Sequence, residues 1–281
     1  MRRSDKQTVF AKVKEITGLT IPRDQQTPRM REVFEELCRQ IETDHLTGVA
    51  NIIALQKKIQ RSAQTASQHG NGAQRSEEKA THLSIVFVDA NDFGAINKEL
   101  ADDVGDEAIK SIASYFSENL RKDDFVARKG GDEFVILMHC PKEEAIAKMN
   151  QLKAGFKESV TKQVRQEVER AFPDDHEQRI TAYQNALARK HKNPALARKP
   201  FEMSFSFGVS EVSSEQMQQI TQGDIKAAVK PLLRQGDEAM RDDKARYREM
   251  MNQFGRAASA GQALTSRVGK AHKPSNGSPH R

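Results

Sequence analysis

Apolar residues recur at helical spacing twice near the start of the chain. Phe10, Val13 and Ile16 mark a short helix ended by Gly18 and Pro22; Met30, Phe34, Leu37 and Ile41 mark a second. Thr27 can cap that second helix, and Pro28 suits its first position, where a missing amide costs nothing. Its stripe is built to dock, on the body of the protein or on a second subunit. Residues 63–80 are rich in Gln, Ser, Gly and Asn and predict a loop. Strand-like runs follow at Leu83–Asp89, Phe125–Arg128, Phe134–Met138 and Met203–Val212. In the last, Met203, Phe205, Phe207 and Val209 alternate with Ser204, Ser206, Gly208 and Ser210, so one face is oily and the other small and polar. Helical stretches, notably Ala108–Leu120 and Lys142–Glu158, lie between the runs, and residues 160–200 form a charged, helical excursion. This interleaving, without a Gly-rich dinucleotide fingerprint, predicts an α/β or α+β sheet domain rather than a bundle.

Composition narrows the class. A chain of 281 residues has room for one large domain or two small ones. Its hydrophobic fraction of 37% and mean hydropathy of −0.73 are polar for a compact globule, so part of the length is expected to be tail or solvated helix. Residues 253–281 read as a disordered basic tail. The longest apolar runs fall far short of the ~20 residues a membrane span needs. No apolar stretch backs the basic N-terminus, so no cleaved secretory signal is expected. Cys38 and Cys140 are lone thiols without CxxC spacing, which suits the reducing cytoplasm. Net charge is +6, but the basic residues are scattered, with local excess at Arg189–Lys199 and in the tail. No zinc-finger or RNP-like pattern accompanies them, so nucleic acid is not the expected ligand.

The chemistry concentrates in two segments. In Phe125–Met138, two strand-like runs flank Gly130-Gly131, which supplies the positive φ angles of a tight hairpin and lets a phosphate approach the backbone. Asp132 and Glu133 follow at once. Taken alone, an acidic pair beside a turn is equally a solubilising edge. The second segment is the buried-looking run Leu83–Val88, which ends abruptly in Asp89-Ala-Asn-Asp92. Carboxylates at the end of a buried strand and on a facing hairpin make a hard-oxygen site for Mg²⁺ or Mn²⁺, of the kind that serves two-metal phosphoryl transfer. The eight histidines are dispersed without metal-binding spacing.

Gly130-Gly-Asp-Glu-Phe134 is the name motif of the GGDEF domains, the diguanylate cyclases of bacterial signalling, and the chain resembles that family from about residue 43 to 250. Asp44-His-Leu-Thr-Gly-Val-Ala-Asn51 is similar to the family's DxLTGLxN opening. Asp89 to Asp106 follows its metal-and-guanine segment, with Phe93, Asn97, Gly105 and Asp106 in place. Ser206-Phe-Gly208 resembles the SxG strand, and Gly236-Asp-Glu-Ala-Met240, with Lys244 and Arg248, resembles the closing helix.

The resemblance implies an α+β fold: a polymerase-palm or nucleotidyl-cyclase-like, mostly antiparallel sheet wrapped by helices. It divides the chain into an N-terminal helical extension (1–42), a GGDEF domain (43–252, with 160–200 as an insertion) and the tail. It also implies that two GTP-loaded subunits face each other as a homodimer to make cyclic di-GMP, with two Mg²⁺ or Mn²⁺ per half-site. Carried over by residue, Asp89 and Glu133 hold metal, assisted by Asp132 and the Ala90 carbonyl, and Glu133 also helps activate the 3′-hydroxyl. Asn97 and Asp106 read guanine beside Phe93, Gly130 and Gly131 admit phosphate, and Lys244 and Arg248 grip the triphosphate. Arg121-Lys-Asp-Asp124 stands at the spacing of the family's RxxD site, where cyclic di-GMP binds as a feedback inhibitor. The chain departs from the pattern at Gly94, usually a phosphate-contacting lysine, and at Ile52, Asn91, Asp102, Arg241 and Tyr247. An active cyclase is the leading expectation; a non-catalytic cyclic di-GMP receptor and a basic nucleic-acid binder are the alternatives.

Overall fold

A computed structural model describes residues 27–69, 82–223 and 225–255. The helix expected around Phe10–Ile16, the loop expected over 70–80 and the tail beyond 255 lie outside the described residues.

Five strands form one mixed sheet in the order β1-β3-β4-β2-β5: β1 (Ala50–Asn51), β2 (Ser84–Ala90), β3 (Phe125–Gly130), β4 (Glu133–Met138) and β5 (Phe205–Glu211). All pairings are antiparallel except the short β1 with β3. β2 is central and buried along its whole length, as its unbroken apolar run requires. Its alternation serves both layers: Val86 and Val88 face one core, Ile85 and Phe87 the other.

Eight helices accompany the sheet among the described residues: α1 (Pro28–Glu42), α2 (Ile52–His69), α3 (Phe93–Leu100), α4 (Asp102–Asn119), α5 (Lys142–Ala171), α6 (His176–Lys190), α7 (Ser214–Thr221) and α8 (Ile225–Gln253). Helices α3 to α6 share the larger core with one face, where Phe116, Phe156 and Phe205 meet with ring centroids 4.8–6.0 Å apart. Rings buried to this degree contribute roughly 1.5–3 kcal/mol each. Leu55, Ile59 and Ala63 of α2 join α7 and α8 over the other face.

The loop expected from residue 63 is corrected over its first part, since α2 continues to His69. There the buried Ala63 joins Leu55 and Ile59 on one stripe, and packing overrides the polar composition of its neighbours. The excursion expected at 160–200 is the end of α5, then α6, then a 3₁₀ turn at Pro194–Arg198. On α1, Thr27 caps as expected, but Val33, Leu37 and Ile41 remain exposed while Cys38 is turned inward. The small polar face of β5 receives α8: Ser210 Oγ donates to the Leu232 carbonyl at 2.9 Å, and Gly208 lies against the α8 backbone at Gly236 and Met240.

Candidate active site

The site lies at the ends of β2 and β4. Their register pairs Asp89 directly with Glu133, so a carboxylate closing the central strand stands beside one opening the hairpin strand. Asp132 occupies the turn, and its carbonyl lies 3.4 Å from the Ala90 amide nitrogen. Gly130 and Gly131 have φ of 147° and 54°, values that disfavour side chains and explain the glycine pair. The register slips between Arg128 and Gly130, a bulge-like irregularity at the mouth of the turn.

A strut holds this hairpin from below. Arg128 Nε donates to the Gly131 carbonyl at 2.9 Å, while its Nη1 donates to Asp44 Oδ1 at 3.0 Å. Asp44 also accepts from the amide and hydroxyl of Thr47. Burial works against its charge, but the hydrogen bonds from Thr47 and Arg128 prevail and keep its carboxyl below the usual range. The DxLT segment thus braces the GGDEF turn across the sheet.

Asp89, Glu133, Asp237, Met240, Arg241, Lys244 and Arg248 line an open cleft of ≈ 420 Å³. Lys244 Nζ lies 2.6 Å from Asp89 Oδ1, and Lys129 Nζ lies 2.9 Å from Glu133 Oε2. The first contact is an ion pair without hydrogen-bond alignment, for Asp89 Oδ1 is buried and has no hydrogen-bond partner. Asp132 is pushed up to about 6, by burial first and then by the charge of Asp89. Crowded carboxylates with one buried oxygen left without a hydrogen bond present all-oxygen donors that fit a hard divalent cation. Among the described residues, no group of three His, Cys, Asp or Glu side chains is already gathered around a cation position. Asp89 and Glu133 would have to exchange their lysine partners for the metal.

The other expected residues sit on separate elements. Phe93, the first residue of α3, is buried in the larger core. Asn97 and Asp106 project from α3 and α4, exposed and away from the cleft lining. Gly105 lets these helices meet, since a Cβ there would lie 1.9 Å from Asn97 Oδ1. Arg121 and Asp124 share the exposed turn before β3: the Arg121 amide donates to Asp124 Oδ2 at 3.1 Å, and its guanidinium pairs with Glu144 at 2.7 Å.

Residues 41–172 match the model described as "Diguanylate cyclase, GGDEF domain". Over those residues the chain carries a GGDEF domain. The matched span ends before α8, which completes the cleft. Among curated relatives, the GGDEF chain is 33% identical over 110 residues to diguanylate cyclase DosC of Escherichia coli (strain K12), 39% of this chain and 22% of that protein. It is 29% identical over 162 residues to the cyclic di-GMP phosphodiesterase NbdA of Pseudomonas aeruginosa, 55% of this chain and 19% of that one. The matches thus span about a fifth of these relatives. In fold it is similar to the coiled coil and GGDEF domain of DgcB from Caulobacter crescentus in complex with c-di-GMP, with a TM-score of 0.51 and 18% identity, covering 77% of this chain and 87% of that one.

Sequence reasoning passed over two features of the site. One is Lys129, which pairs with Glu133 across the hairpin turn. The other is Asp92, whose carboxylate is only 3% exposed and meets Lys190, His191 and Tyr247. Burial works against the Asp92 charge, but Lys190 and Tyr247 outweigh it and hold the carboxyl below its usual range. No local pattern signals that cluster, because its partners are remote in sequence.

Proposed function

We propose that this chain is a diguanylate cyclase, condensing two GTP into cyclic di-GMP with release of pyrophosphate. The observation that carries the reading is Asp89 opposite Glu133, with Lys244 and Arg248 facing them across the cleft. Each 3′-hydroxyl attacks the α-phosphorus of the other GTP; one P–O bond forms, the α–β bridge breaks, and pyrophosphate leaves. Glu133 takes up the hydroxyl proton. Asp89, Glu133, Asp132 and the Ala90 carbonyl would hold two Mg²⁺ or Mn²⁺, which would neutralise phosphate charge and acidify the attacking hydroxyl. Lys244 and Arg248 bind the triphosphate, with Gly130 and Gly131 admitting it close to the backbone. Asn97 and Asp106 select guanine: a carboxylate accepts from guanine N1–H and its amine, an edge adenine lacks, and the unpaired group would cost ~1–3 kcal/mol.

The product has two equivalent 3′–5′ bonds, so a two-fold pair of half-sites forms both by the same chemistry, and a homodimer is the working unit. The exposed Val33, Leu37 and Ile41 on α1 suit a subunit contact. Arg121 and Asp124 bind cyclic di-GMP as feedback inhibitor, which requires Arg121 to leave Glu144. The cytoplasm, where GTP is available, is the site of action. No described helix is long and apolar enough to cross a membrane.

A second reading, a cyclic di-GMP receptor without turnover, is favoured by two observations: lysines already occupy both carboxylates, and Gly94 stands where the family usually carries a phosphate-contacting lysine. Mass spectrometry of reactions containing GTP with Mg²⁺ or Mn²⁺, on protein stripped of nucleotide, separates the two. Cyclic di-GMP from wild type and none from a folded Glu133→Ala variant is expected. Absence of product from wild type, with cyclic di-GMP in the stripped eluate, would replace the cyclase with the receptor.

A further inference from the structure

Asp92 precedes α3 at its N-cap, where a carboxylate ordinarily accepts from the first helical amides. Here it makes no such bond, and its left-handed backbone (φ 58°) turns the side chain elsewhere. Lys190 Nζ lies 2.6 Å from Oδ1, His191 Nε2 3.0 Å from Oδ2, and the Tyr247 hydroxyl donates to Oδ2 at 2.8 Å. Lys190 and His191 end α6; Tyr247 is on α8, one turn past Lys244 and next to Arg248. The same segment grips α8 again farther along, where the buried Asn193 donates to the carbonyls of Met251 at 2.7 Å and Phe254 at 3.0 Å. The Met251 carbonyl lies in the last turn of α8, where helical amide partners run out, and also accepts from the Phe254 amide at 3.4 Å; Phe254 follows the helix end.

We propose that residues 190–193 are a brace for the nucleotide cleft and that Asp92 is the positioning residue through which it acts. The brace fixes α8 against the turn that follows Asp89, and so sets where Lys244 and Arg248 stand relative to the acid pair. It also neutralises a buried carboxylate three residues past Asp89 that would otherwise repel a bound triphosphate. The extra helical segment is therefore part of the site rather than an appendage. The effect on triphosphate affinity rests on the GTP reading above; the mechanical link between the turn and α8 does not.

The test uses the full chain and two readouts. Binding of α,β-methylene GTP with Mg²⁺, which cannot turn over, is measured by calorimetry, and hydrogen exchange is followed in residues 89–95 and 244–251. Lys190→Ala is expected to weaken binding about fivefold to tenfold by exposing the Asp92 charge. Adding Asp92→Asn, which keeps an acceptor for Tyr247, restores affinity to within about twofold, a rescue that loss of packing alone would not give. Asn193→Ala is expected to speed exchange in both segments together. Unchanged affinity in Lys190→Ala, or no rescue, overturns the electrostatic role; unchanged exchange in both segments overturns the brace. If wild type binds no nucleotide, the GTP reading has failed, and exchange in Lys190→Ala and Asn193→Ala alone decides: joint loosening supports the brace and its absence refutes it.

Discussion

Adding one methyl group at Gly208 tests whether the small face of β5 sets the position of the helix that carries the cleft cations. A Cβ there would stand 2.2 Å from the Gly236 carbonyl oxygen, 2.3 Å from the Met240 nitrogen and 2.8 Å from the Ala239 carbonyl carbon. All are backbone atoms of α8, and none can rotate aside. Restoring ordinary contact at 3.4 Å requires α8 to retreat by about 1.2 Å at this point. Overpacking on this scale costs ~1–3 kcal/mol, which for a domain of this size lowers Tm by about 3–10 °C. The retreat also withdraws Lys244, one turn beyond Met240, from its 2.6 Å contact with Asp89. Gly94→Ala is the control: nothing lies within 4 Å of its Cβ, and it sits inside α3. Alanine there is expected to stabilise by up to ~1 kcal/mol. Thermal unfolding followed by circular dichroism compares the two. A Gly208→Ala protein melting within about 1 °C of wild type, or one more stable than Gly94→Ala, would refute the close approach of α8 to β5.

Further expectations concern the acid pair, the hairpin strut and a helix cap. The Asp132 carboxyl, raised to about 6, holds its proton in the folded protein at pH values where the unfolded chain has released it. Its contribution to apo stability is therefore present below the ordinary value of 3.8 and lost as pH rises through about 6. Mg²⁺ binding has the opposite dependence, because it needs the anion: stabilisation by Mg²⁺ in thermal shift should weaken as pH falls from 7 to 5, and a flat profile would count against Asp132 as a ligand. Asp44→Ala removes the partner of the half-buried Arg128 and should cost ~1–3 kcal/mol in denaturant unfolding, whereas Asp123→Ala, on an exposed turn, should change little. Ser213 and Gln216 form a reciprocal capping box on α7, so Ser213→Ala should lose ~1 kcal/mol by the same measurement; no loss would contradict that cap.

The strands were legible because a fully buried central strand and a two-faced edge strand must write their burial into the sequence, and β2 and β5 do so within a residue or two. The two-residue β1 was not, because a pair of residues has no period to detect. The end of α2 was misread for a related reason: its outward positions are loop-like in composition, and only the inward Ala63 records the helix. At the site, the motif residues Asp89, Glu133, Lys244 and Arg248 were all identifiable, and they line one cleft. Their present partners were not, since ion pairing between Lys244 and Asp89 depends on how α8 lies over β5.

Local chemistry, then, was determined by the sequence alone: hard-oxygen donors at strand ends, a glycine turn, a capped amphipathic helix and an ordered set of GGDEF motifs. Each of these is expressed over a few neighbouring residues, as a period, a spacing or a required φ. Tertiary structure alone decided which remote groups meet. It placed Lys190, His191 and Tyr247 around Asp92 and set Arg128 between Asp44 and Gly131. It also left Asp89 Oδ1 buried without a hydrogen bond. Those outcomes depend on the approach of packed helices and strands over distances that no local pattern encodes, and they govern the electrostatics of the site because burial strengthens every charge it encloses.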